Sequence, residues 1–280
     1  SGKKGDGRNF SISYSGNVQA RMVSFLPEMQ NSFGQGWNGA QTYIENGSWG
    51  PRLDGSMQVY GPIWNNQQLI HEYSAKKDNV KDFFDPGWSQ NHTVSLSGVS
   101  ADTKMDYYLS YSFTKDDGIM PKDYDTYERN TVAFRGGYEA TNWLKVSSSL
   151  NFARSQTDAV GSFQGTSVID GVFELPRDIS IVDMKDTSSP FNTPEAYFTP
   201  YGITNPYWAL ENNYNHTASK QIYGNVQVDV TPIKELKLSY RMGFDYTDYD
   251  RKVGTPQINL DDALIDEDYG YAPSNMNQSG

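Results

Sequence analysis

The side chains best suited to chemistry are few and poorly spaced for it. The chain has 280 residues, three of them histidines (His71, His92 and His216), and no cysteine. The histidines show neither an H-E-x-x-H pattern nor i,i+4 spacing, so ordinary loop or strand-end positions are expected for them. Without thiolates, a disulfide scaffold and Cys-ligated zinc or iron–sulfur centres are excluded. No G-x-x-x-x-G-K-[ST] loop, G-x-S-x-G elbow or dinucleotide fingerprint occurs. A glycosidase needs only two carboxylates placed across a sugar, but among 34 Asp+Glu such pairs carry no information. The acidic run Asp261-Asp262-Ala263-Leu264-Ile265-Asp266-Glu267-Asp268 could hold a hard cation such as calcium. It lacks the D-x-D-x-D-G order of an EF-hand and reads better as a solvated loop. The expectation is no catalytic residue, no metal, no cofactor and no enzyme.

Recognition is left. Trp37, Tyr43, Trp49, Tyr60 and Trp64 lie in one stretch rich in Gly and amides, and such rings can stack on sugar faces or hold peptide backbone. The competing reading is that they fold the loop onto its own support. A net charge of -11, from 23 Lys+Arg against 34 Asp+Glu, opposes a nucleic-acid partner. Aromatics at 14% separate the chain from generic disorder.

The elements that must position these residues are legible at period 2. Segments near 9–24, 91–99, 104–114, 128–139, 143–154, 219–231 and 235–249 alternate in polarity. In the first, Phe10, Ile12, Tyr14, Gly16, Val18 and Ala20 alternate with Ser11, Ser13, Ser15, Asn17, Gln19 and Arg21. The apolar sets carry no charge, whereas the opposite sets carry Arg21, Asp106, Arg135, Lys145, Asp229, Lys237, Arg241 and Asp245. A soluble sandwich core or a lipid-facing barrel wall has such a face.

Connections favour the barrel. Links near 25–88, 115–126, 155–217 and 251–280 are long, and each is separated from the next by tight turns such as Ser100-Ala101-Asp102-Thr103. This parity fits short periplasmic turns and long extracellular loops. Aromatics toward strand ends (Tyr138, Trp143, Phe152, Tyr246, Tyr249) fit interfacial girdles. The fold expected is therefore all-β: an antiparallel up-and-down transmembrane barrel segment. No stretch approaches the roughly 20 apolar residues of a helical span, and no signal-peptide h-region is present.

Several stretches resemble a known family. Asp82-Phe83-Phe84-Asp85-Pro86-Gly87-Trp88-Ser89-Gln90-Asn91-His92-Thr93-Val94-Ser95-Leu96-Ser97-Gly98 is similar to the lead-in to an early barrel strand of SusC/RagA-type TonB-dependent outer-membrane transporters. Tyr107-Tyr108-Leu109-Ser110-Tyr111-Ser112, Asp117-Gly118-Ile119, Tyr127-Glu128-Arg129-Asn130 and Asn142-Trp143-Leu144-Lys145-Val146 follow in that family's order. Asn205-Pro206-Tyr207-Trp208, Gly224-Asn225-Val226 and Leu236-Lys237-Leu238-Ser239-Tyr240-Arg241 continue it. The opening Ser1-Gly2-Lys3-Lys4-Gly5 looks like the junction between plug and first barrel strand.

The resemblance implies about seven strands of a plugged barrel of about 22, hence a segment of a longer transporter in a Bacteroidota-type outer membrane. It implies uptake of oligosaccharides or peptides with a SusD-like surface lipoprotein, and energy from TonB through a part absent here. The remaining barrel and plug segments and the lipid bilayer would be its other partners. Arg21, Asp106, Arg135, Lys145, Arg241 and Asp245 would face the lumen and plug. A secreted soluble glycan-binding β-sandwich is the second expectation, and a secreted glycosidase the third.

Overall fold

The computed structural model describes residues 10–42, 47–161, 167–192 and 205–255. Seven strands form one antiparallel sheet: β1 (Phe10–Arg21), β4 (Gly87–Val99), β5 (Met105–Asp117), β6 (Thr126–Thr141), β7 (Leu144–Asp158), β8 (Tyr214–Ile233) and β9 (Leu236–Gly254), paired in that order. A separate hairpin, β2 (Met57–Trp64) and β3 (Gln67–Glu72), lies in the first long link. Two short helices, α1 (Val168–Phe173) and α2 (Pro206–Asn212), lie in the third. The sheet does not close on itself: β1 and β9 are its open edges. No helix among the described residues is long and apolar enough to cross a membrane.

Register turns the alternation into a surface. Residues directly opposite in an antiparallel pair share a face, so the pairing can be followed across the sheet. Ile12, Leu96, Leu109, Phe134, Leu150, Gly224 and Phe244 form one row, and Tyr14, Val94, Tyr111, Val132, Phe152, Ile222 and Tyr246 the next. These rows make one continuous apolar face. From Leu238 to Tyr246 the strand rises about 27 Å, or about 20 Å along the normal at a tilt of about 40°, close to the roughly 25 Å apolar band of outer-membrane barrels.

The strands run past that band. On β6 to β9 the next row of that face reads Asn130, Arg154, Lys220 and Asp248, where the apolar pattern stops but pairing continues. This is why β5 reaches Asp117, β7 reaches Asp158, β8 starts at Tyr214 and β9 reaches Gly254, all beyond the ends read from polarity. The loop expected near 25–88 contains the β2–β3 hairpin, closed by Asn65 and Asn66 at φ of 50° and 59°, the left-handed pair a two-residue turn requires. Of the expected girdle, Tyr138, Phe152 and Tyr246 stand on the apolar face. Tyr249, opposite Ser219, stands on the polar one, because it shares the odd parity of Arg241 and Asp245, whereas the apolar residues Leu238 to Tyr246 are even. The acidic run 261–268 lies outside the described residues.

Burial is inverted relative to a soluble domain. The sheet's large apolar side chains are exposed, Ile12 by 66% and Phe244 by 50%. The buried apolar cluster consists of Val80, Phe83, Met120, Val168, Val172, Leu175, Ile179, Ile181, Met184, Tyr207, Ala209 and Leu210, none of them in the seven-stranded sheet. These residues come from the three long links, which leave the sheet at one end and condense into a cap. A soluble sandwich would need a second layer over the apolar face. Among the described residues the other sheet is the β2–β3 hairpin, which itself exposes Met57, Val59 and Ile70.

Candidate functional site

Two surfaces could meet a solute: the cap, and the polar face of the wall beneath it. The cap is organised by polar side chains with short local geometry and long sequence reach. Gln30 ties the first link together: its Oε1 accepts from the N–H groups of Ser32 and Phe33, and its Nε2 donates to the carbonyls of Phe33 and Ser48. Within this loop Gly36 sits at φ +129, where an added Cβ would meet the Ala40 carbonyl. Asn79, 5% exposed, donates to the Ile179 carbonyl at 2.7 Å and accepts from the Ile181 N–H at 2.8 Å. Arg177, 3% exposed, donates from Nε to the Gln30 carbonyl and from Nη2 to Asn31 Oδ1 and the Lys76 carbonyl. Burial pushes its pKa down. Asn205 caps α2 by accepting from the Tyr207 N–H at 3.0 Å and donates to the Met184 and Asn192 carbonyls, with Pro206 filling the first helical turn.

Around these clasps the cap packs tightly. Phe83 and Tyr207 pack at a tilt of 54° with centroids 5.0 Å apart. Burial, with Asp85 and Asp82 adding, pushes the Tyr207 hydroxyl up to about 12. Asp125 accepts from the Ile119 and Met120 N–H groups; burial outweighs those bonds and raises its carboxyl. Lys122 donates to Glu211 at 2.5 Å, joining the second and third links. That bond holds the Lys122 ammonium above its ordinary value. Partial burial works against Glu211, yet hydrogen bonds from Lys122 and Thr187 hold its carboxyl below the usual range.

The aromatics nominated from sequence take different places. Trp37 is 46% exposed and Trp49 56%, the latter against Phe33 at 5.5 Å. Trp37 covers Gly47, where a Cβ would come within 2.2 Å of the indole. Trp64 closes the hairpin, 39% exposed. Tyr60 turns inward, edge-on to His71 with centroids 4.3 Å apart; burial, with Asp183 and Asp178 adding, raises its hydroxyl pKa. Tyr43 lies outside the described residues. Beside this loop, a groove of about 480 Å³ is bounded by Leu26, Pro27, Lys77, Lys81 and Arg177.

Two histidines take the strand-end positions expected of them, His71 next to the end of β3 and His216 near the start of β8, whereas His92 does not. His92 is inside β4, its Nδ1 2.7 Å from the Tyr14 hydroxyl, and His216 is within β8, 2.8 Å from Asp158. His71, on the hairpin, lies 2.8 Å from Asp178 with both side chains nearly buried. This places the hairpin against the third link, although neither ring nitrogen closes a hydrogen bond.

By register, Arg21, Asp106, Arg135, Lys145, Arg241 and Asp245 all stand on the face opposite the apolar rows. Arg21 pairs with Asp116, Lys145 with Glu139 at 3.3 Å, Arg241 donates to Gln227, and Asp245 accepts from Gln221 at 3.1 Å. Gly137 leaves room for Asp106, whose Oδ1 would lie 2.6 Å from a Cβ there. Between the charges runs a hydroxyl and amide network, including Thr93 to Ser112 and Asn225 to Ser149. The charges are spread across the wall and do not converge on one centre; Asp106 and Arg241 share a row but are four strands apart, about 19 Å. Such a face can line a hydrated lumen. Sequence reasoning missed Gln30, Asn79, Arg177 and Asp178. Only Asn205-Pro206 carries a local signal, a capping residue followed by proline, and in the sequence it enters solely as part of the family resemblance.

No protein-family model and no curated protein matches the chain. Among solved structures it is similar to the RagAB peptide importer in the 'open-open' state, at TM-score 0.59 and 19% identity over 86% of this chain and 28% of that one. It is similar to the 'closed-closed' state at TM-score 0.53 and 19% identity, covering 87% and 28%, and to the RagAB peptide transporter at 0.51 and 16%, again covering 87% and 28%. At these identities the likeness is one of fold. This chain shares its fold with a part that makes up 28% of those chains.

Proposed function

We propose that this chain is part of the wall and outer loops of a SusC/RagA-type, TonB-dependent outer-membrane transporter. Its apolar face meets lipid, its polar face lines the lumen around a plug, and its cap meets the cargo and a SusD-like surface lipoprotein. The remaining strands, the plug and the TonB contact belong to the rest of a longer chain. Peptides are favoured over oligosaccharides as cargo, because the solved neighbours are peptide importers. The protein does no chemistry on its cargo.

The observation that carries this reading is the exposed apolar face. Fully burying one Val, Leu, Ile or Phe side chain is worth about 1.5–3 kcal/mol. Ile12, Val94, Leu109, Phe134, Leu150 and Phe244 are each exposed by roughly half. Even at half weight they would forgo about 5–9 kcal/mol in water, comparable with a domain's entire stability of about 5–15 kcal/mol. Lipid removes that cost.

Fractionation and uptake test the proposal. The full-length protein carrying this sequence should partition with outer membranes, need detergent for extraction, and support uptake of labelled oligopeptides that stops when TonB is removed. Trp37→Ala and Trp64→Ala should weaken cargo binding. A full-length protein that is monodisperse in plain buffer would overturn the membrane reading, and uptake of glycans alone would overturn the choice of cargo.

A further inference from the structure

The row that ends the apolar face holds a juxtaposition that the wall alone does not explain. On β7 and β8, strands flanked by neighbours on both sides, Phe152 lies opposite Ile222, and the next pair on that face toward the cap is Arg154 opposite Lys220. Directly opposed like charges have Cβ atoms only about 4.5–5.5 Å apart and destabilise a sheet. Both side chains are exposed, and neither takes part in an ion pair among the described residues. Arg154 reaches only Gln156 of its own strand, at 3.4 Å. Its lateral neighbour Asn130 is engaged by Tyr111 and Glu128. Asp248, opposite Lys220 on β9, does not close an ion pair with it. On the polar face, by contrast, Arg21, Lys145 and Lys237 all find carboxylates.

We infer that Arg154 and Lys220 clamp the phosphate of a phosphorylated glycolipid in the outer leaflet. This inference rests on the membrane reading above. The position fits a headgroup: one row beyond the last apolar pair, at the end from which the long loops leave. A phosphate between the two cations converts their repulsion into two charge-assisted contacts. The row beyond, with Glu128 and Gln156 on the same face, offers a carboxylate and an amide to sugar hydroxyls. Glu128 accepts from Asn130 and Gln156 from Arg154, and the second carboxylate oxygen and the amide N–H groups that remain are ones a phospholipid headgroup without sugar would not engage.

The test uses the full-length transporter, delipidated in mild detergent and titrated with monophosphoryl lipid A, its dephosphorylated form and phosphatidylglycerol, with bound lipid read by native mass spectrometry. Monophosphoryl lipid A should bind the unaltered protein best. The double variant Arg154→Gln, Lys220→Gln should lose about tenfold or more of that binding, as loss of contacts to a charged group implies. Lys104→Gln, in the turn at the opposite end, should change nothing. Equal binding of the phosphorylated and dephosphorylated forms, or undiminished binding by the double variant, would overturn the clamp. Equal binding of phosphatidylglycerol would overturn the glycolipid as its occupant. Should the double variant not fold, as judged by heat-modifiable gel mobility, Lys220→Gln alone and the lipid series on the unaltered protein decide. A folded, detergent-dependent barrel indifferent to these lipids removes only this inference. A protein soluble without detergent removes the membrane reading with it.

Discussion

Leu150 and Leu210 are the same residue in opposite circumstances. Leu150 points out of the wall and is 39% exposed, whereas Leu210 is 4% exposed inside the cap. The wall displays its apolar side chains and the cap hides them. Both follow the hydrophobic effect if each region has a different solvent, lipid around the strands and water around the loops. The difference explains why each region is held as it is. The wall rests on continuous backbone pairing from β1 to β9, while the cap has little regular structure and depends on a packed cluster and a few buried amides and one guanidinium.

Substitutions can break or sharpen that contrast. The largest effect is expected in the cap: Ile181, fully buried, changed to Ala should cost about 2–5 kcal/mol of cap stability, read as faster proteolysis of the loops with the barrel intact. On the wall a charge should do what a cavity does in the cap. Leu150→Arg should cost about 2–4 kcal/mol in a bilayer, measured by unfolding in liposomes; on a water-facing surface the same change would cost about 0.5 kcal/mol or less. Of the same order is Asn79→Ala, which strands the Ile179 carbonyl and the Ile181 N–H, at about 1–3 kcal/mol for each group left unsatisfied, again local to the cap.

Titration should also separate the regions. The folded pKa of Tyr207 is raised from 10.0 to about 12, so its contribution is intact below pH 10 and is lost as pH rises toward about 12. The cap should loosen across that window in hydrogen exchange while the strands stay protected, and Tyr207→Phe should flatten the dependence. The smallest effect belongs to Lys122 and Glu211, partly exposed at 50% and 25%. Lys122→Met should cost no more than about 1 kcal/mol. Because Glu211 is held below its ordinary value, its share is lost as pH falls through the acid range, and the Lys122 share as pH rises past its ordinary 10.5.

The wall was legible because alternation, charge-free faces and link parity all report one physical situation, a sheet with one apolar and one polar face. Strand ends were not, since polarity stops alternating at the edge of the apolar band while hydrogen bonding carries on through His216, Thr217, Ala218 and Ser219. The β2–β3 hairpin could have been read from Asn65-Asn66 between two alternating runs, a recognised turn signal. The cap clasps could not. Asn79 meets Ile179 and Ile181 across about 100 residues, and Arg177 meets Gln30 across 147, and nothing local marks either side chain as buried. Parity alone put the charges on the face opposite the apolar rows, but their partners, such as Gln221 for Asp245, come only from register.

The central claim is that adjacent residues of one strand face lipid and water in turn, and because this chain carries no cysteine, single labels can be placed in it once any cysteine elsewhere in the full-length protein is replaced. Ser149→Cys and Leu150→Cys, introduced singly into the full-length protein in liposomes, would each carry one environment-sensitive label. A label at 150 should be quenched by a quencher embedded in the lipid and shielded from an aqueous one, and a label at 149 should show the reverse. Equal access of the aqueous quencher to both positions would contradict the account.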